Sequence, residues 1–271
     1  MRGPLGSDKT QGLLSINCCA KEGIMKIIKK DIFDMLRNGV CAIGFLTEPL
    51  KTYLNNLESE IFQVIGTGFL VDEQTVMTNR HVIGGLIEAQ ITHVVPHTQL
   101  FIQFVAPKED GTPFPVPRMI RQVSYLDDPG LDIGLIRFRI FDESHFEVIK
   151  PLPIAEEWNL SVSEEVGVCG YPYGTYMLTR GVEFRWGPVL QQGHISAVSP
   201  FDTFDTPDEI LLDVRTAEGM SGAPIFRPFN GEVIGVHYAG IEATTAFGIP
   251  INKDSVESSL SDFNLNRIEI N

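Results

Sequence analysis

Short apolar runs rich in β-branched and aromatic residues recur along this chain, and each closes on Gly, Pro, Asn or Asp. The first half carries Val40–Leu46 (VCAIGFL), Val64–Val71 (VIGTGFLV), Thr75–Asn79 (TVMTN), Gln99–Val105 (QLFIQFV) and Ile133–Ile140 (IGLIRFRI). The second half carries Val166–Tyr171, Gly193–Val198, Glu209–Val214 and Glu232–Tyr238. Runs this short, punctuated this often, suit strands joined by turns and leave little room for long helices. They predict an all-β protein, a sandwich or barrel. Helices are expected only near Met25–Arg37 and Asp254–Asp262, with a turn after His81.

The stretch Val148–Trp158 (VIKPLPIAEEW) interrupts the strand pattern with two prolines, which marks a linker. It divides the chain into β-rich halves at 38–147 and 154–262, behind an N-terminal tail and helix at 1–37. The first 24 residues have no periodic pattern and are set aside. A net charge of −14 argues against a nucleic-acid backbone or an anionic membrane surface as partner. No run approaches the roughly 20 apolar residues of a membrane span. The N-terminus lacks the order of a signal peptide, so a cytoplasmic location is expected. The cysteines (Cys18, Cys19, Cys41 and Cys169) have no zinc spacing and read as reduced and structural. No metal and no organic cofactor is expected.

Three residues attract chemical interest. His81 stands where an apolar strand ends and the chain turns, in TVMTNRHVIGG. It serves either as a turn residue or as a base. Asp132, in PGLDIGLIRF, precedes an apolar strand. A carboxylate there is expensive to bury without a partner, although Asp also caps turns through the backbone. Ser221, in TAEGMSGAPIF, lies between Gly219 and Gly222. The glycines permit a tight loop in which the Gly219 and Ser221 N–H groups point to one spot beside the hydroxyl, as an oxyanion hole requires. Serine is a weak nucleophile unless a histidine takes its proton and a carboxylate fixes the histidine tautomer. The order is His, Asp, then Ser, with the serine in the other half, so a cleft between two halves would unite them.

With those residues in view the chain resembles the chymotrypsin-fold serine proteases, nearest the bacterial HtrA and glutamyl endopeptidase branches. GTGFLVDEQTVMTNRHV, LDIGLIRF, VGVCGYPYG with GPVLQQGHISAV, and TAEGMSGAPIF with GEVIGVHYAG carry the likeness. The resemblance implies two six-stranded antiparallel β-barrels with a short C-terminal helix. It implies His81 as general base, Asp132 as its orienter, Ser221 as nucleophile, and Gly219 with Ser221 as oxyanion donors. The substrate would be a peptide or protein. Three features depart from the family pattern. Ala223 replaces the second glycine after the serine. Met220 cannot make the ion pair that activates trypsin zymogens. Phe45–Gln63 lengthens the first connection, as a surface loop near the cleft. The resemblance to HtrA enzymes implies that an activating partner or an oligomer could switch the enzyme; a catalytically silent peptide-binding module is the alternative.

In this fold the pocket lies between the chain before the nucleophile and the strand after it, here Asp213–Glu218 and Gly235–Gly240. No acid stands at Arg215, where trypsins bind lysine or arginine. Thr216 and His237 occupy places held by a similar pair in glutamyl endopeptidases, with Tyr238 and Ala239 beside them. A hydroxyl and an imidazole can both hydrogen-bond a Glu or Gln side chain. Cleavage after Glu or Gln is expected; a pocket for small apolar residues is the alternative.

Overall fold

The computed structural model describes residues 30–270 except 58, 93–98, 109–112, 126–130, 140–147, 185–186, 201–206, 242–243 and 264–266. The tail with Cys18 and Cys19, and the first residues of the expected N-terminal helix, lie outside the described residues.

The first half forms β1 (Val40–Leu46), β2 (Phe62–Leu70), β3 (Thr75–Thr78), β4 (Gln99–Pro107), β5 (Pro113–Tyr125) and β6 (Gly134–Phe138). Their order is β5-β4-β1-β2-β3-β6, closed by pairing of β5 with β6. The second half forms β7 (Glu165–Gly170), β8 (Val189–Ser199), β9 (Glu209–Leu212), β10 (Pro224–Phe226), β11 (Val233–Ile241) and β12 (Thr245–Pro250). These close as a second barrel in the order β10-β11-β12-β9-β8-β7. A short β13 (Ile268–Glu269) returns to pair with β5 outside the first barrel. The architecture is the chymotrypsin-like pair of six-stranded antiparallel barrels. Closure removes the exposed sheet edges that invite aggregation. Each barrel has its own buried core, and a third cluster joins them through Ala42, Phe62 and Phe101 on one side and Cys169, Phe226 and Val236 on the other.

β5 escapes a reading by local propensity because Pro115 and Pro117 interrupt it. Over this part β5 pairs with β4 alone, and Pro115 and Pro117 oppose Val105 and Gln103. Alternate residues turn their backbone groups to opposite sides, so one edge of this stretch tolerates missing N–H donors.

Among the described residues five helices decorate the barrels: α1 (Lys30–Gly39), α2 (Leu50–Asn55), α3 (Arg80–Thr92), α4 (Thr175–Phe184) and α5 (Lys253–Phe263). α5 begins on a reciprocal cap, in which the Ser255 N–H donates to Asn252 Oδ1 and the Asn252 N–H donates to Ser255 Oγ, both at 3.0 Å. α3 replaces the turn expected after His81. Gly84 and Gly85 oppose a helix by about 1 kcal/mol each relative to alanine. Val82, Ile83 and Leu86 are all buried by it, and each such burial stabilises by about 1.5–3 kcal/mol. Packing therefore outweighs propensity.

The lengthened first connection is anchored. β1 and β2 pair as far as Leu46 opposite Phe62, and α2 fills the excursion between them. Tyr53 is 1% exposed, and its hydroxyl donates to Gln103 Oε1 at 2.6 Å. The stretch after residue 147 runs from one barrel to the other: the Leu152 N–H donates to Leu70 O, and the Ala155 N–H to Val233 O.

Candidate active site

Strand register sets the first two residues side by side. β3 pairs with β6 from Thr75 opposite Arg137 to Thr78 opposite Gly134. Two residues further along that register, Asp132 reaches the start of α3. One Asp132 oxygen accepts the His81 backbone N–H at 2.9 Å, and the other lies 2.6 Å from His81 Nδ1. Asn79 Nδ2 donates to the Asp132 carbonyl at 2.8 Å and so fixes the same turn. A carboxylate only accepts, so Nδ1 carries the proton and Nε2 presents its lone pair. Half of the His81 side chain remains exposed. The burial penalty that made Asp132 notable in sequence is met by the histidine.

Ser221 lies on the turn between β9 and β10, and four successive carbonyls around it are each held. Glu218 O accepts the Tyr173 N–H at 2.6 Å, and Gly219 O accepts the Thr67 hydroxyl at 2.7 Å. Met220 O accepts the Ala223 N–H at 2.9 Å, and Ser221 O accepts the Thr67 N–H at 2.8 Å. In a trans peptide the N–H points away from its carbonyl. The Met220 and Gly222 N–H groups therefore turn to Ala217 O and His237 O. The Gly219 and Ser221 N–H groups meet no acceptor among the described residues, which leaves both available to a ligand. Gly219 (φ +91°) and Gly222 (φ +88°) take backbone angles that L side chains avoid. A Cβ at Gly222 would stand 2.1 Å from Thr67 O, so both glycines are obligatory.

Met220 and Ala223 are fully buried in the core of the second barrel. The methyl of Ala223 is simply packed.

A cleft of about 380 Å³ opens beside the serine. Ser221, Thr216, His237 and Ala239 line it, and Tyr173, Ala217, Glu218 and Gly240 complete it. Tyr238 is not among its lining residues. Its hydroxyl donates to Glu209, and Tyr238 itself stands where the β11–β12 register shifts between His237 and Ala239. Gly240 keeps the mouth open: a Cβ there would lie 2.6 Å from Thr216 Oγ1 and 3.9 Å from His237 Cε1. The Thr216 hydroxyl and the His237 ring thus face one small volume.

His237 is 3% exposed, and burial lowers its pKa to about 4. Hydrogen bonding to Phe247 O opposes that shift, and the neighbouring His81 adds to it. Nδ1 lies 3.0 Å from Phe247 O. A carbonyl cannot donate, so Nδ1 carries the proton and Nε2 is left as an acceptor. Cys41 and Cys169 are buried free thiols whose pKa values burial raises. No group of His, Cys, Asp and Glu among the described residues could hold a metal ion.

Sequence reasoning overlooked Thr67, Thr78 and Tyr173, and named Gly240 only as the end of the pocket wall. Thr67 gave only the signal of a lone hydroxyl inside a glycine-rich apolar strand. Tyr173, at φ +58°, gave that of an aromatic residue before glycine in YPYG.

Comparison with known proteins places the fold and the family. Residues 66–236 match the model of the trypsin-like peptidase domain. Glutamyl endopeptidase of Staphylococcus epidermidis is 23% identical over 244 residues, spanning 88% of this chain and 74% of that protein. Glutamyl endopeptidase of Staphylococcus aureus (strain MRSA252) is 25% identical over 222 residues, spanning 79% and 54%. Among solved structures, Deg5 superposes with a TM-score of 0.54 at 21% identity, covering 84% of this chain and 90% of that one. The Rv3671c protease from M. tuberculosis in its active form gives 0.53 at 20% identity, covering 86% and 84%. The family match spans more than half of the chain, and the chain belongs to the trypsin-like peptidase family of serine peptidases.

Proposed function

We propose that this protein is a serine endopeptidase that cleaves after Glu or Gln through a Ser221–His81–Asp132 triad. The observation that carries the catalytic part is the two-point hold of Asp132 on His81, which leaves Nε2 as the free base. Ser221 Oγ attacks the scissile carbonyl and gives its proton to Nε2. The oxyanion is met by the Gly219 and Ser221 N–H groups. Collapse breaks the C–N bond, and the leaving amine takes the proton back from His81. Water then hydrolyses the acyl-enzyme by the same steps in reverse.

The specificity rests on the neutral His237 ring and the Thr216 hydroxyl in one cleft. A Gln side chain donates its amide N–H to His237 Nε2 as the ring stands. A Glu carboxylate fits once Nε2 gains a proton. An apolar side chain leaves Nε2 unpaired, which costs about 1–3 kcal/mol. The names of the Staphylococcus relatives point the same way.

The test is cleavage of a proteome-derived peptide mixture by wild type, Ser221→Ala and His237→Ala, with fluorophosphonate labelling alongside. Ser221→Ala should lower turnover by about 10⁴–10⁶-fold without unfolding the chain. Near-normal turnover in that variant refutes the triad. A preference for Val or Ala before the cut refutes the polar pocket. Absence of labelling in wild type and in every variant favours the silent peptide-binding module or a need for an activator.

A further inference from the structure

We propose that Thr67 is a positioning residue for the reaction: from the first barrel it holds the peptide planes that adjoin those carrying the oxyanion donors of the second. The proposal rests on the proteolytic reading above.

Thr67 lies in β2 and is fully buried. Its hydroxyl donates to Gly219 O at 2.7 Å and accepts the Tyr171 N–H at 3.1 Å. Its N–H donates to Ser221 O at 2.8 Å, and its carbonyl accepts the Thr78 hydroxyl at 2.7 Å. One residue therefore grips the nucleophile loop on both sides of Met220. It also grips the strand that ends beside His81. Gly219 is the joint that needs such a grip, since glycine imposes least on its own backbone. The plane before its Cα is held by the Tyr173 N–H on Glu218 O, and the plane after it by the Thr67 hydroxyl. Removing the hydroxyl leaves the second plane, which lies between the planes of the two donors, held only through the Met220 N–H on Ala217 O at 3.1 Å. It also strands a buried carbonyl and a buried N–H, which favours a rotated loop that satisfies them.

The consequence is specific to the transition state. Charge develops on the oxygen only as the tetrahedral species forms, so a misdirected donor lowers kcat. Substrate binding in the cleft uses Thr216 and His237, and Thr67 does not line that cleft. Complete loss of one donor costs about 10²–10³ in kcat, and misdirection costs a part of that.

The experiment compares wild type, Thr67→Val and Thr67→Ser on a peptide substrate well below the unfolding temperature. Folding is checked by near-UV circular dichroism and Tm. Thr67→Val should lower kcat about 10–100-fold with KM within about threefold of wild type. Thr67→Ser should recover kcat to within about threefold, because it keeps the hydroxyl. In a Ser221→Ala background, Thr67→Val should leave affinity for the uncleaved peptide unchanged. Thr67→Ala, with room for a water at the hydroxyl position, serves as the second variant where Thr67→Val does not fold. A folded Thr67→Val or Thr67→Ala protein with lowered Tm and unchanged kcat overturns the proposal and leaves Thr67 a purely structural residue. A wild-type chain that takes no fluorophosphonate label counts against the proteolytic reading and not against Thr67 alone, which separates the two failures.

Discussion

Lowering the pH should destabilise the fold through His237 by an amount that can be worked out. The ring is buried with a pKa lowered from 6.5 to about 4, desolvation being the chief cause. Above pH 6.5 it is neutral in both folded and unfolded chains, so its contribution to stability is fully present. Between about pH 6.5 and 4 the unfolded chain takes up a proton that the folded chain refuses, and stability falls as pH falls. Below about pH 4 both states are protonated and this loss stops growing. The window corresponds to about 3 kcal/mol, at about 1.4 kcal/mol for each pH unit between the two values. Other groups titrate in the same range, so the measurement is a difference. Urea unfolding of wild type and His237→Gln is compared at pH 7.5, 6, 5 and 4. Wild type should lose about 3 kcal/mol more than the variant across the series. Curves that stay parallel within about 1 kcal/mol refute a buried neutral imidazole, and with it the acceptor role given to Nε2.

The same ring predicts how substrate choice varies with pH: above pH 4 the ratio of kcat/KM for Glu over Gln should fall about tenfold per unit while the bound ring must gain a proton. A ratio independent of pH from 5 to 8 would show that the carboxylate is held without His237 protonation. Gly240→Val places carbon where the Thr216 hydroxyl and the His237 ring now face open space. It should raise KM for Glu and Gln peptides at least about tenfold with an unchanged rate of fluorophosphonate labelling. Asp132→Asn replaces one carboxylate oxygen by an NH2 donor; with the remaining oxygen kept by the His81 backbone N–H, the NH2 faces Nδ1 and imposes the wrong tautomer, so kcat should fall about 10⁴-fold with little change in KM. Steady-state kinetics on a short fluorogenic peptide checks both, and an Asp132→Asn enzyme within tenfold of wild type would remove Asp132 from the triad.

What the sequence determined by itself was local. Strand-length apolar runs announced the barrel strands, because alternation and turn chemistry act between near neighbours. His81, Asp132 and Ser221 stood out together, through their order along the chain and the glycines around the serine, since each alone also suits a turn. β5 stayed hidden behind its prolines, since only an unpaired edge makes them tolerable, and an edge is a property of the sheet. α3 stayed hidden behind Gly84 and Gly85, since only burial of Val82, Ile83 and Leu86 overrides them. The structure alone decided how the loop around Ser221 is aimed. The Thr67 hydroxyl that holds Gly219 lies 152 residues away from it in the chain. The acceptor on His237 Nδ1 comes from the neighbouring strand, which fixes the tautomer that faces the cleft. A hydrogen bond between distant segments depends on barrel closure and strand register, and neither is written in the residues on either side of the bond.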